Sequence, residues 1–313
     1  MPLTKTLPLG LIIIILALFS SLISLGRPVP LPALAIDPSY LKEIEKWRNE
    51  RLEEINGETG WNTLLGLFWL HEGKNRFGSD PSNDIVLPRI RAPKLAGSLH
   101  LDNGTVRLTT RLEVGITSEG SRVSDLVLRP DADGLPTPLK LGSLTMFVIK
   151  RGDRFGLRIK DKLHPARTNF KGLSYFPIDI NWRVQGKLEA YAPPKIIPIV
   201  NVLAMVDNMT SPGALVFEVR GKEYRLDAVL EKSSKQLFVI FADQTSGKET
   251  YGAGRYLYLD PPDADGKVTI DFNKAYNPPC AFTKFATCPL PPRQNRLAIR
   301  IDAGEKRYAG SGH

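Results

Sequence analysis

The chain has 313 residues, 42% hydrophobic and 24% charged, the balance of an ordinary globular protein with room for one large or two ordinary domains. Its net charge of +9 is spread along the chain, with no block of like charge and no interleaving of basic and aromatic residues, which argues against a nucleic-acid partner. A basic surface still favours anionic neighbours such as lipid headgroups or cell-wall polymers, and 26 glycines with 25 prolines favour a turn-rich, β-dominated fold.

Leu7 to Leu25 is a near-continuous apolar run with Lys5 before it and no charge inside it. It reads as a signal peptide or as a membrane anchor, and residues 1–35 are set apart on that ground. The Ala33-Leu34-Ala35 pattern suits cleavage. The length of the run and the proline-rich segment after it suit retention. Either way the body is expected outside the cytoplasm, in the cell envelope or periplasm, touching the membrane through its N-terminal segment. No cysteine stands near the end of the run, so a lipoprotein is excluded.

Residues 36–58 predict one amphipathic helix. Tyr40, Leu41, Ile44, Trp47, Arg48, Leu52 and Ile55 follow the i, i+3, i+4 spacing, Pro38 lies in the first turn, and Gly57 stands past the end. Acidic residues on its polar face (Glu43, Glu45, Glu50, Glu53, Glu54) point to a helix packed on the body, not one lying on a membrane. Gly60 to Leu70 is almost wholly apolar and is assigned to the core.

From Gly73 the texture changes to short strands and turns. Gly73-Lys-Asn-Arg-Phe-Gly-Ser-Asp80, Asn83-Asp-Ile-Val-Leu87 and Ala96-Gly-Ser-Leu-His-Leu101 resemble the opening of a forkhead-associated β-sandwich. That fold binds phosphothreonine through an arginine directly after the glycine, but Ser79 follows Gly78 here. Ser98 and His100 are also too close together for the rest of the pattern. The resemblance therefore implies the topology of residues 59–160 and not the phosphopeptide site. Met146 to Ile159 reads as a hairpin turning on Gly152-Asp153. Arg151-Gly-Asp153 matches an adhesion tripeptide, yet these are also ordinary turn residues.

Asp161 to Tyr175 forms a seam, and residues 161–308 read as a second β-domain, with 309–313 as a tail. Leu237–Asp243 and Glu249–Leu259 predict a hairpin around a five-residue polar turn with Gly247. Val268–Asn273 alternates as a half-buried strand. Lys274–Asn295 then runs without helical or strand period, stiffened by proline and carrying both cysteines. The fold class is all-β, two antiparallel sandwich or barrel-like units behind the helix.

Further residues are similar to a bacterial domain-of-unknown-function family, DUF 1684. They are Gly60-Trp61, Gly66-Leu67-Phe68-Trp69-Leu70, Gly73, Gly78, Asn83-Asp-Ile, Arg158 with Asp161, Arg167, Phe170 and Phe241 to Arg255. The most specific stretch is Asp271-Phe-Asn-Lys-Ala-Tyr-Asn-Pro-Pro-Cys-Ala-Phe-Thr-Lys-Phe-Ala-Thr-Cys-Pro-Leu-Pro-Pro, followed by Asn295-Arg296 and Ala303-Gly-Glu305. The resemblance implies a shared fold and a shared site, and no particular activity.

Cys280 and Cys288 lie close together in an exported, proline-rich loop, where a disulfide is the economical reading. A free thiol pair or a metal site is the alternative, although no histidine lies nearby to complete a zinc set. No metal or cofactor is expected. Asp161 and His164 alone are a weak ligand pair, and no glycine-rich phosphate loop opens a helix. Three functions remain open. The first is binding of a small polar ligand or envelope glycan through Tyr251, Arg255, Asn273 and Asn277, beneath the cysteine loop. The second is hydrolysis of envelope glycans or esters, with Asp243, Glu249 and Asp271 as acid and base. The third is a purely structural role in the envelope.

Overall fold

The computed structural model describes residues 1–3, 36–231 and 234–310. The apolar run, the Ala33-Leu34-Ala35 pattern and His313 lie outside the described residues. Among the described residues, no helix is long and apolar enough to cross a membrane. The protein is mostly β-sheet, with one long helix ahead of the strands.

Helix α1 (Pro38–Asn56) starts where Asp37 accepts a hydrogen bond from the Ser39 N–H and ends at Gly57. It buries Tyr40, Ile44, Arg51 and Ile55 and leaves Leu52 largely exposed. The strands follow in three sheets. The first half of the chain supplies β1 (Leu64–Trp69), β2 (Gly73–Gly78), β3 (Ile85–Val86), β4 (Gly97–Asp102), β5 (Thr105–Thr109), β6 (Thr117–Ser118), β7 (Ser121–Arg122) and β8 (Asp125–Leu128). It continues with β9 (Leu139–Leu141), β10 (Leu144–Arg151) and β11 (Arg154–Asp161). Two sheets result, in the orders β1-β11-β10-β9-β6-β7 and β3-β2-β4-β5-β8. They share a core of residues such as Leu99, Leu108, Met146, Leu157 and Ile159. The expectation of purely antiparallel pairing needs correction at β2 and β3, which run parallel with Phe77 opposite Ile85.

The second half forms one sheet from β12 (Arg183–Val200), β13 (Val206–Val219), β14 (Lys222–Leu230), β15 (Leu237–Phe241), β16 (Arg255–Leu259) and β17 (Lys267–Asp271). Its order, β16-β15-β14-β13-β12-β17, curls into a half-barrel around Trp182, Leu215, Val239 and Phe272. Strand β15 is buried at all five positions because it is covered on both sides. Leu237, Val239 and Phe241 face the half-barrel core, while Phe238 and Ile240 join Cys280, Ala286 and Cys288 on the other face. A strand sandwiched in this way reads as a continuous apolar run.

The β15–β16 hairpin pairs Leu237 with Leu259 and Phe241 with Arg255, so its connection is residues 242–254 and not the expected five-residue turn. The Thr245 carbonyl collects the amides of Lys248, Glu249 and Thr250, which folds this connection on itself. Gly254 closes it at φ +87, where a Cβ would stand 2.5 Å from the Phe241 carbonyl oxygen and from Pro291. Residues Ile36–His313 form one compact unit.

Candidate functional site

The seven polar residues singled out from the sequence do not share one cleft. Asp243 and Arg255 meet at 3.3 Å with both side chains wholly buried. Arg255 also donates to the carbonyls of Ile301 and Ala303, and Asp243 accepts from the Ile301 amide and the Thr245 hydroxyl at 2.8 Å each. This pair ties the C-terminal segment to the hairpin. Asp271 and Asn273 meet instead at the start of α1, where the Tyr40 hydroxyl lies 3.0 and 2.9 Å from the two Asp271 oxygens. Burial raises the Asp271 pKa against the pull of the Tyr40 and Asn273 hydrogen bonds. Glu249 is exposed beside Arg300, and Asn277 donates to the Lys306 carbonyl and, through its amide, to Glu305. The three carboxylates proposed as acid and base are thus held in separate places.

The cysteine loop does fold back over the hairpin. Tyr251 donates to the Cys280 carbonyl at 3.1 Å and Tyr256 to the Pro289 carbonyl at 2.7 Å. Cys280 and Cys288 are buried as two thiols, and the Cys280 amide donates to the Cys288 sulfur at 3.1 Å. A hydrogen bond from Cys288 lowers the Cys280 pKa, whereas burial pushes that of Cys288 well up. What the loop encloses is chiefly aromatic, and of the residues given a catalytic, binding or disulfide role from the sequence only Cys288 lines the cavity beneath it.

That cavity, of about 540 Å³, opens where α1, the β10–β11 hairpin, β15–β16 and the cysteine loop meet. Helix spacing supplies one wall: Trp47, Glu50, Arg51 and Glu54 fall at i, i+3, i+4 and i+7, one face of α1. Phe238, Tyr256, Tyr258 and Tyr276 form another wall, with Tyr258 stacked on Phe238 at 4.7 Å. Arg51 lies 4.3 Å over the Tyr276 ring and is fully engaged. Its Nε binds Glu305 at 2.9 Å, Nη1 binds Glu54 at 2.7 Å and Nη2 donates to the Asn277 carbonyl at 2.6 Å. Burial raises the pKa of Glu305, countered by Arg51.

Arg158 completes the lining and differs from the other charged groups. On β11 its neighbours Leu157 and Ile159 point into the sandwich core, so the alternation turns Arg158 to the opposite face. There it lies 5.4 Å from the Trp61 ring centre and 5.9 Å from that of Phe147. It is 5% exposed, and neither Nε nor Nη2 has a hydrogen-bond partner among the described residues. Burial, then the nearby charge of Arg151, pushes its pKa down to about 10. Burial and Arg158 likewise push Lys160, two residues on, down to about 8. Buried guanidinium groups are ordinarily paired. The arrangement is one cationic donor at the edge of an aromatic chamber, suited to accept an anion. Among the described residues, no cluster of three or more histidine, cysteine, aspartate or glutamate side chains could hold a metal.

In the sequence, Trp61 and Arg158 stand out only among the residues that carry the family resemblance, Trp47 only in the helix stripe, and Glu231 not at all. One further signal was present: Arg158 stands in the row Arg154, Gly156, Arg158 and Lys160, the face of an alternating strand turned away from the core.

The family model described as "Protein of unknown function (DUF1684)" matches residues 168–306. No curated protein matches the chain. Among solved structures, the chain is similar to the NMR structure of an uncharacterized protein of Haloarcula marismortui. The two share 34% identity over 46% of this chain and 80% of that one, with a TM-score of 0.39. It is also similar to the FHA-2 domain of the Mycobacterium tuberculosis ABC transporter Rv1747, at 20% identity over 28% of this chain and 77% of that one, TM-score 0.22. A further similarity is to the FhaA FHA domain solved with the intracellular domain of Rv3910, at 15% identity over 30% and 97%, TM-score 0.21. On the family match, residues 168–306 of the chain belong to the DUF1684 family.

Proposed function

We propose that this is a binding protein for a small organic anion, an aromatic or sugar carboxylate, held in the cavity with Arg158 as its anchor. The observation that carries the reading is the buried guanidinium whose Nε and Nη2 have no partner among the described residues. Removing a cation from water costs several kcal/mol unless a counter-charge replaces the lost hydration. A carboxylate can take two parallel N–H bonds from such a group. The stacked rings of Phe238 and Tyr258 would take the apolar body of the ligand.

We also propose that the protein works outside the cytoplasm, which rests on the apolar run of residues 7–25. In an oxidising compartment a thiol oxidant would take two electrons and both thiol protons from Cys280 and Cys288, leaving one sulfur–sulfur bond. Their adjacency supports that step. Counting alkylatable thiols by mass, before and after reduction, tests it. Two free thiols in protein recovered from the envelope would overturn it.

The binding reading is tested by calorimetry of the full chain against benzoate, phenylacetate, glucuronate and matched neutral sugars. The carboxylates are expected to bind, the neutral sugars not, and Arg158→Leu to lose at least about tenfold in affinity. Unchanged carboxylate binding in Arg158→Leu, or no carboxylate binding in the natural chain, would overturn it.

A further inference from the structure

The cavity lining carries three arginines and three glutamates, and most of that charge is answered within the protein. Arg51 is held by Glu305 and Glu54, and Arg151 pairs with Asp131 at 2.9 Å. Glu50 sits in solvent 3.8 Å from Lys46. Two charges are left over. One is Arg158. The other is Glu231, at the end of β14, whose Oε2 accepts the Tyr258 hydroxyl at 2.6 Å and forms no ion pair among the described residues. A neutral phenol satisfies a lone pair but leaves the negative charge in place. The rings of Tyr258 and Tyr276 lie beside it, nearly parallel at 19° with centres 6.3 Å apart. Electron-rich ring faces next to a carboxylate form a site for an ammonium group.

Among the described residues, one lining group therefore forms no ion pair with an anion and another forms none with a cation. We infer that the ligand is bipolar, an amino acid or ω-amino acid whose carboxylate rests on Arg158 and whose ammonium group rests on Glu231 against Tyr258 and Tyr276. This rests on the anion-binding reading above and adds the second pole. Each charge of such a ligand would be met by one protein charge, so none would be left buried alone.

The test uses calorimetry on the full chain with ω-amino carboxylates from glycine to 6-aminohexanoate and with L-phenylalanine. Each is compared with its deaminated carboxylate and its decarboxylated amine. At least one amino acid should bind about tenfold tighter than both of its single-charge counterparts, the worth of one desolvated charge contact. Glu231→Gln keeps an oxygen for the Tyr258 hydroxyl. It should erase that advantage, with the deaminated carboxylate bound at least as tightly as by the natural chain because a like charge has left the cavity. Carboxylates that bind as tightly as their amino counterparts, or a Glu231→Gln chain that keeps the preference, would overturn the bipolar ligand and leave the anion site standing. A natural chain that takes up no carboxylate of either kind would overturn both.

Discussion

Arg158 and Arg255 are the same residue type in the same degree of burial, 5% and 0% exposed, yet opposite in their surroundings. Arg255 has Asp243 and two backbone carbonyls; Arg158 has rings and sheet. Substitution should separate them. Asp243→Ala strands the Arg255 charge and should destabilise by about 3–5 kcal/mol. Arg158→Leu removes a charge whose hydration was never replaced, and should leave stability unchanged or raise it by roughly 1–3 kcal/mol. Urea unfolding of the two variants reads both signs. A large loss in Arg158→Leu would mean that the guanidinium is held by partners the geometry does not display. The same contrast explains why the site was hard to read. Asp243, Arg255, Asp271 and Asn273 look like chemistry because they are polar and clustered in sequence, but their partners are backbone groups and Tyr40, which sequence spacing does not reveal.

At the scale of elements, α1 was legible because everything that defines it is local: the Asp37 cap, Pro38, the 3.6-residue stripe and Gly57. Strand β15 was legible for the same reason, its uninterrupted apolar run being what two-sided burial requires. The hairpin connection was misjudged in length because Asp243, Thr245 and Thr250 bond to one another and hold residues 242–254 out of the ladder. Nor could the buried face of α1 be read correctly at Arg51, where an apolar stripe led toward Leu52. The helix is fastened there by the buried Arg51–Glu305 pair, so Arg51→Ala should cost about 3–5 kcal/mol. Amide exchange across Pro38–Asn56 should quicken well beyond that of β10 and β11. Equal protection in both places would mean that apolar contacts alone dock the helix.

Across the whole molecule, the cavity belongs to no single stretch of chain. Its walls come from α1, from β11, from β15 and β16 and from the cysteine loop, so only the assembled fold brings Arg158 and Glu231 to one cavity. Its pH behaviour follows from two depressed bases. Lys160 titrates at about 8 in the fold against an ordinary 10.5, so its contribution to stability is greatest above 10.5 and is lost as pH falls through about 8. Anion affinity moves the other way. It should weaken slightly as Lys160 discharges through about 8 and fall steeply as Arg158 discharges through about 10. Melting temperature and carboxylate affinity, followed together from about pH 7 to about pH 9, below the range in which the buried tyrosines begin to oppose the trend, should diverge, and Lys160→Met should flatten the stability slope. Parallel rise or fall of the two quantities would contradict this assignment.

Of the four tryptophans, Trp47 and Trp61 border the chamber, Trp182 sits in the half-barrel core and Trp69 stacks under Arg154. The indoles are therefore divided between a pair that an incoming molecule would touch and a pair that it would not. Occupancy should alter the emission of the first pair alone, so the protein brings its own optical reporter to any titration.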